Sequence, residues 1–178
     1  MLAELGDGDD VRRTGEAERI EHGANGSPRH LKQTSNNRAD ELWAEVKRLI
    51  TESSEYMSRE KWDEAKEVAR KAVEKAQELG VQKKEYRRVH AVALSSFGVA
   101  SVTCKEFGEG YELLSQAQEI FESLIDEQAY TPDDLASTLS KILHFKALAQ
   151  LNMGEFSQAR QLRKEAKKWK KIAKKNRK

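Results

Sequence analysis

Apolar side chains return at helical spacing along most of the chain, in six separate blocks. From about Asp40, the residues Leu42, Val46, Leu49, Ser53 and Tyr56 share one face of a 3.6-residue period. The stretch MSRE interrupts that pattern, and Ser58 is the expected N-cap of a second helix with Glu60 in its first turn. This second block carries Trp62, Ala65, Ala69, Ala72, Val73 and Ala76 and stops at Leu79-Gly80, where glycine accepts the positive φ of a helix terminus. A third runs from about Lys83 to Glu106 with Val89, Val92, Ala93, Leu94, Phe97, Ala100 and Val102. KEFGEG then turns into a fourth, marked by Tyr111, Leu114, Ala117, Ile120, Phe121 and Leu124.

The fifth block has the strongest start signal. TPDD places Thr131 at the N-cap, Pro132 at the first helical position and two carboxylates in the positive first turn. Leu135, Leu139, Ile142, Leu143, Leu148 and Leu151 follow, up to a break at Gly154. The sixth block holds Phe156, Ala159, Leu162, Ala166, Trp169 and Ile172. No stretch alternates with period two over a useful length, so the expected fold class is all-α, without a sheet.

Three segments of the chain align with one another: EKWDEAKEVARKAVE, KEFGEGYELLSQAQE and GEFSQARQLRKEAKK. Each opens with an aromatic residue (Trp62, Phe107, Phe156). A small residue comes three positions later (Ala65, Gly110, Ala159), and an alanine seven after that (Ala72, Ala117, Ala166). Small residues let paired helices approach closely, and the aromatic is expected to plug the space at the turn. The segments repeat after 45 and 49 residues.

This pattern resembles the second helix of a tetratricopeptide repeat. Among the first helices, Leu94, Phe97 and Gly98 fit the family's large-large-small signature. Leu49, Ser53, Tyr56, Leu143 and Ala147 fit in part, while Glu52 and Lys146 depart from it. The spacing is longer than the family's period of about 34 residues. The resemblance covers about residues 40–175. It implies three antiparallel helical hairpins, six helices in all, stacked as a right-handed α-α superhelix.

It also implies a concave groove lined by the first helix of each pair, with a protein or peptide segment as partner. In that register the groove residues are Lys47, Ile50, Ser54 and Met57, then Val92, Ser95, Val99 and Val102, then Lys141, His144, Leu148 and Leu151. Family members that clamp a carboxylate terminus use Lys and Asn where this chain has Ile50, Ser54, Ser95 and Val99. An amphipathic partner helix therefore suits the apolar lining better than a terminal carboxylate.

Composition sharpens the division of the chain. Residues 1–38, with GDGDD, HGANGSP and TSNNR, are too polar to offset chain entropy and read as a disordered leader. Residues 39–173 form the expected repeat domain, and 174–178 a basic tail. The formal net charge of +2 conceals an asymmetry: residues 160–178 hold 11 Lys/Arg against one Glu, and residues 1–159 hold 21 against 29. Nine of these cations make the basic-tail set: Lys164, Lys167, Lys168, Lys170, Lys171, Lys174, Lys175, Arg177 and Lys178.

Such a stretch supports non-specific phosphate contacts to nucleic acid, a nuclear-import signal, or a membrane-surface or calmodulin-type segment. It equally suits the polar cap that ends a repeat array. Ala166, Trp169 and Ile172 are expected to be buried. Lys167, Lys168, Lys170, Lys171, Lys174 and Lys175 are expected on the outer face.

Little in the chain points to chemistry. The four histidines are scattered, two of them in the leader, with no partner at metal-ligand spacing. Cys104 stands alone, which fits a reducing, intracellular and cytoplasmic setting, or a nuclear one in a eukaryote. FGEGY lacks the lysine of a phosphate-binding loop and follows a helix. The expectation is a non-enzymatic adaptor, without metal or cofactor and without a membrane span.

Overall fold

A computed structural model describes residues 28–175, with side chains from residue 38. The expected leader therefore lies largely outside the described residues, as do Arg177 and Lys178. Six helices follow one another: α1 (Pro28–Ser58), α2 (Trp62–Leu79), α3 (Lys84–Thr103), α4 (Phe107–Asp126), α5 (Pro132–Asn152) and α6 (Phe156–Lys175). The described residues contain no strand. Helix α1 begins well upstream of the expected onset near Asp40, and α3 ends at Thr103 rather than Glu106.

Consecutive helices pack on one another, and α3 in addition touches both α1 and α5. Helix α3 is thus surrounded by α1, α2, α4 and α5. Its buried set is correspondingly long, with Tyr86, Ala91, Ala93, Leu94, Phe97 and every residue from Gly98 to Val102. Three small positions, Ala65, Gly110 and Ala159, are buried as their spacing predicts, and so are Ala72, Ala117 and Ala166. The closest approach is at Gly110. A Cβ there would lie 2.9 Å from the Gly98 carbonyl oxygen and 2.5 Å from Val102 Cγ2.

The turns after α1, α3 and α5 share one hydrogen-bond pattern, which also closes α4, where the Leu124 carbonyl accepts the Ala129 N–H at 2.9 Å and Gln128 has φ 55°. Tyr56, Ser101 and Gln150 each accept, through the backbone carbonyl, the N–H five residues on, from Lys61, Glu106 and Glu155, at 3.0, 2.9 and 2.9 Å. The residue before each donor has positive φ: Glu60 at 59°, Lys105 at 68° and Gly154 at 87°. Such left-handed residues close the last helical turn and satisfy carbonyls that would otherwise be orphaned. Each stands five residues before the small residue of its segment, so the recurrence seen in side chains extends to the backbone.

Local capping is mixed. At α5 the Thr131 hydroxyl accepts the Asp134 N–H at 3.3 Å, and the Asp134 carboxylate accepts the Thr131 N–H at 2.9 Å. The Thr131 hydroxyl also donates to that carboxylate at 2.7 Å, and this bond, with the one from the Thr131 N–H, holds the Asp134 carboxyl below its usual pKa. Ser58, by contrast, is not the N-cap of α2. It ends α1, its hydroxyl donates to the Glu55 carbonyl at 2.7 Å, and Lys61 stands at the N-cap without a side-chain bond. The left-handed Glu60 adds a turn between the two helices and carries Ser58 out of capping range.

The aromatics at the second-helix starts divide. Phe107 is half-buried against the core and Trp62 is half-buried, but Phe156 is 69% exposed. The plug expected of Phe156 is therefore absent.

His90 on α3 is half-buried, and its Nε2 finds no hydrogen-bond partner among the described residues. Burial pushes its pKa below the ordinary value of 6.5. The unfolded chain therefore takes up this proton at higher pH than the folded one. The His90 contribution is complete above the ordinary value and is lost as pH falls through it toward the depressed folded value. We predict that His90→Phe flattens the fall in thermal midpoint between about pH 7 and about pH 5. An unchanged slope in circular-dichroism melts would contradict this.

Candidate functional site

Two concave surfaces bring sequence-predicted residues together. The first lies across α1 and α3. A cleft of about 390 Å³ is lined by Trp43, Lys47, Ile50 and Thr51 of α1, by Glu85, Arg88, Val89 and Val92 of α3, and by Tyr130. Lys47, Ile50 and Val92 are thus together as the groove register implies. Cations cluster at the rim: Lys47 Nζ sits 4.4 Å from the Trp43 ring, and Arg88 and Lys84 sit 5.0 and 5.7 Å from the Tyr130 ring. Glu85 is the single carboxylate of the lining.

Other expected groove residues lie elsewhere. Val99 and Val102 are core residues, 4% and 2% exposed. The reason is the lateral packing of α3: Val102 Cγ2 meets α4 at Gly110, and contacts with both α1 and α5 use up the rest of that face. Ser54 is exposed, with its hydroxyl donating to the Ile50 carbonyl at 3.0 Å. Ser95, Met57, Leu148 and Leu151 are half-buried, with Met57 and Leu148 packed against the core.

Lys141 and His144 belong to the second surface, a cleft of about 600 Å³ between α5 and α6. Ser137, Ser140, Lys141 and His144 line one side. Arg163, Ala166, Lys167, Lys170, Ala173 and Lys174 line the other. The two helices are tied at this point by the Ser140 hydroxyl, which donates to the Ala166 carbonyl at 3.0 Å. The basic stretch is therefore split. Lys167, Lys170 and Lys174 turn into a shared cleft instead of projecting from an outer face. Lys164, Lys168, Lys171 and Lys175 are exposed outside its lining.

Helix α6 carries nine Lys/Arg and one Glu over 20 residues. Among the described residues, no carboxylate lies within ion-pair distance of any of these cations or of Lys141. Six like-charged pairs stand four residues apart, from Arg160–Lys164 to Lys171–Lys175. At about 0.2–0.5 kcal/mol each, their repulsion opposes the helix by about 1–3 kcal/mol. The apolar face of α6 offsets it: Trp169 is half-buried against the core, and Ala159 and Ala166 are buried.

The departures from the repeat pattern are also accounted for. Glu52 pairs with Arg48 at 3.1 Å on the surface. Lys146 is only 7% exposed; its Nζ donates to Gln118 Oε1 at 2.9 Å and lies 4.9 Å from the Tyr111 ring. Gln118 in turn donates to Glu122 at 2.7 Å, so the buried ammonium is joined to a carboxylate through an amide. The Cys104 thiol donates to Asp63 Oδ1 at 3.6 Å, and burial pushes its pKa up, away from a reactive thiolate.

Among the described residues, no group of three or more His, Cys, Asp and Glu side chains is placed to hold a metal ion. No described helix is long and apolar enough to cross a membrane. Comparison with protein-family models, with curated proteins and with solved structures finds no match to this chain.

Proposed function

We propose that the chain is a non-enzymatic adaptor, built as three tetratricopeptide-like hairpins in an α-α superhelix, that binds an amphipathic helix of a partner protein across α1 and α3. The repeat reading is supported by the buried small residues Ala65, Gly110 and Ala159, each standing five residues after a left-handed turn residue. The binding reading rests on one observation, the cleft where Ile50, Val89 and Val92 meet Trp43 and Tyr130. Apolar and aromatic side chains there offer the anchors that a helix-in-groove contact uses. Three cations against one carboxylate at its edge favour a ligand helix with an acidic flank.

A displayed-peptide selection against the full chain tests this. Selected sequences are expected to repeat apolar residues at helical spacing beside Asp or Glu. Binding is expected to fall at least about tenfold with Ile50→Glu and Val92→Glu combined, with helicity unchanged. Selected peptides indifferent to both substitutions, or no enrichment at all, would overturn the assignment of this groove.

A further inference from the structure

We infer that the cleft between α5 and α6 is a nucleic-acid site that grips phosphates without reading bases. Lys141 on one wall and Arg163, Lys167, Lys170 and Lys174 on the other surround a concavity that no Asp or Glu lines. Unpaired cations facing one open cleft form a field complementary to a phosphate chain. The α6 row rises one turn at a time and spans about 16 Å from Arg163 to Lys174. Over that length, one strand of a duplex presents about five phosphates, matching the five cations. Ala166 and Ala173 keep the wall low between them, so the charged ends and not bulky side chains meet the ligand.

The lining also narrows the ligand. It contains no Phe, Tyr or Trp. Stacking on unpaired bases is therefore absent from the site, and the contact is to the backbone. A lipid surface fits less well, because insertion needs large apolar side chains beside the cations. Leu162, Trp169 and Ile172 do not line the cleft, and Trp169 packs against the core.

The test is fluorescence anisotropy of the full chain with labelled duplex DNA of arbitrary sequence across a salt series. Five phosphate contacts predict a loss in affinity of about 500-fold between about 50 and 200 mM salt. Lys141→Glu, Lys167→Glu and Lys170→Glu together are expected to weaken binding at least about 30-fold. Lys168→Glu, Lys171→Glu and Lys175→Glu, the same charge change outside the cleft, are expected to cost about fivefold or less. Lys141→Gln with Lys167→Gln supplies a milder pair, expected to lower the salt slope by about two.

Equal losses in the two triple variants would overturn the cleft as a site. So would a slope unchanged in the milder pair. Polyglutamate competing as well as duplex at equal charge, or binding to anionic phospholipid vesicles without binding to DNA, would overturn nucleic acid as its ligand.

Discussion

Phe121→Ala is expected to lower the unfolding free energy by about 3–5 kcal/mol. Phe121 is the largest of the fully buried side chains. It sits on α4, beside Leu114, Ala117 and Leu124, all with no exposed surface. Removing a ring leaves a void, and the cost depends on how far the neighbours can close it. Closure is restricted here because α4 is held on two sides, by α3 and by α5. Against a total stability of about 5–15 kcal/mol, the loss is about a fifth at the least. Urea titration followed by circular dichroism should show a lower midpoint with little change in slope. A loss under about 1 kcal/mol would mean that the ring is not a central core element.

Gly110→Ala is expected to destabilise by about 2 kcal/mol, although helix propensity argues the opposite way. In a helix interior, alanine is favoured over glycine by about 1 kcal/mol. The added methyl, however, would stand 2.9 Å from both the Gly98 carbonyl oxygen and the Val102 nitrogen. Both are backbone atoms of α3, so relief requires the two helices to separate, which unpacks Val102 and Leu114 as well. Overpacking of that kind costs about 1–3 kcal/mol before the propensity gain, with larger values where the backbone must move. Gly108→Ala, on the same helix, meets nothing within 4 Å and should be neutral or stabilising. If both variants gained stability, the close approach of α3 and α4 would be refuted.

Much of the helix layout was legible because periodicity reports burial directly. Ala65, Gly110 and Ala159 were found from spacing alone, and all three lie at buried contacts. The turn that precedes each was not legible. Only Gly154 advertises a positive φ; Glu60 and Lys105 adopt it because the surrounding hydrogen bonds demand it, at some local strain. Ser58 misled for the same reason: the residue type of a cap was present, but the turn geometry placed it elsewhere.

The sites were less legible than the helices. A groove register assumes that the first helices keep one face free. Val99 and Val102 lose theirs to lateral packing, a tertiary effect with no local signal. The cationic cleft needed two helices whose facing residues, Ser140 and Ala166, lie 26 positions apart in the chain. A hint was available. Ser137, Lys141 and His144 fall on one stripe of α5, as Arg163, Lys167, Lys170 and Lys174 do on α6, but only contact shows that the stripes face each other.

Helix α6 is the most lightly anchored of the described chain. Among the described helices it packs on α5 alone, and it buries only two residues, both alanines. An element with so little buried surface opens at a lower free energy than the centre of a fold. One wall of the cationic cleft is α6, so the cleft exists only while α6 is docked on α5. Ligand occupancy and docking of α6 are therefore linked equilibria, and whatever bridges Lys141 to Lys167 also stabilises the docked helix.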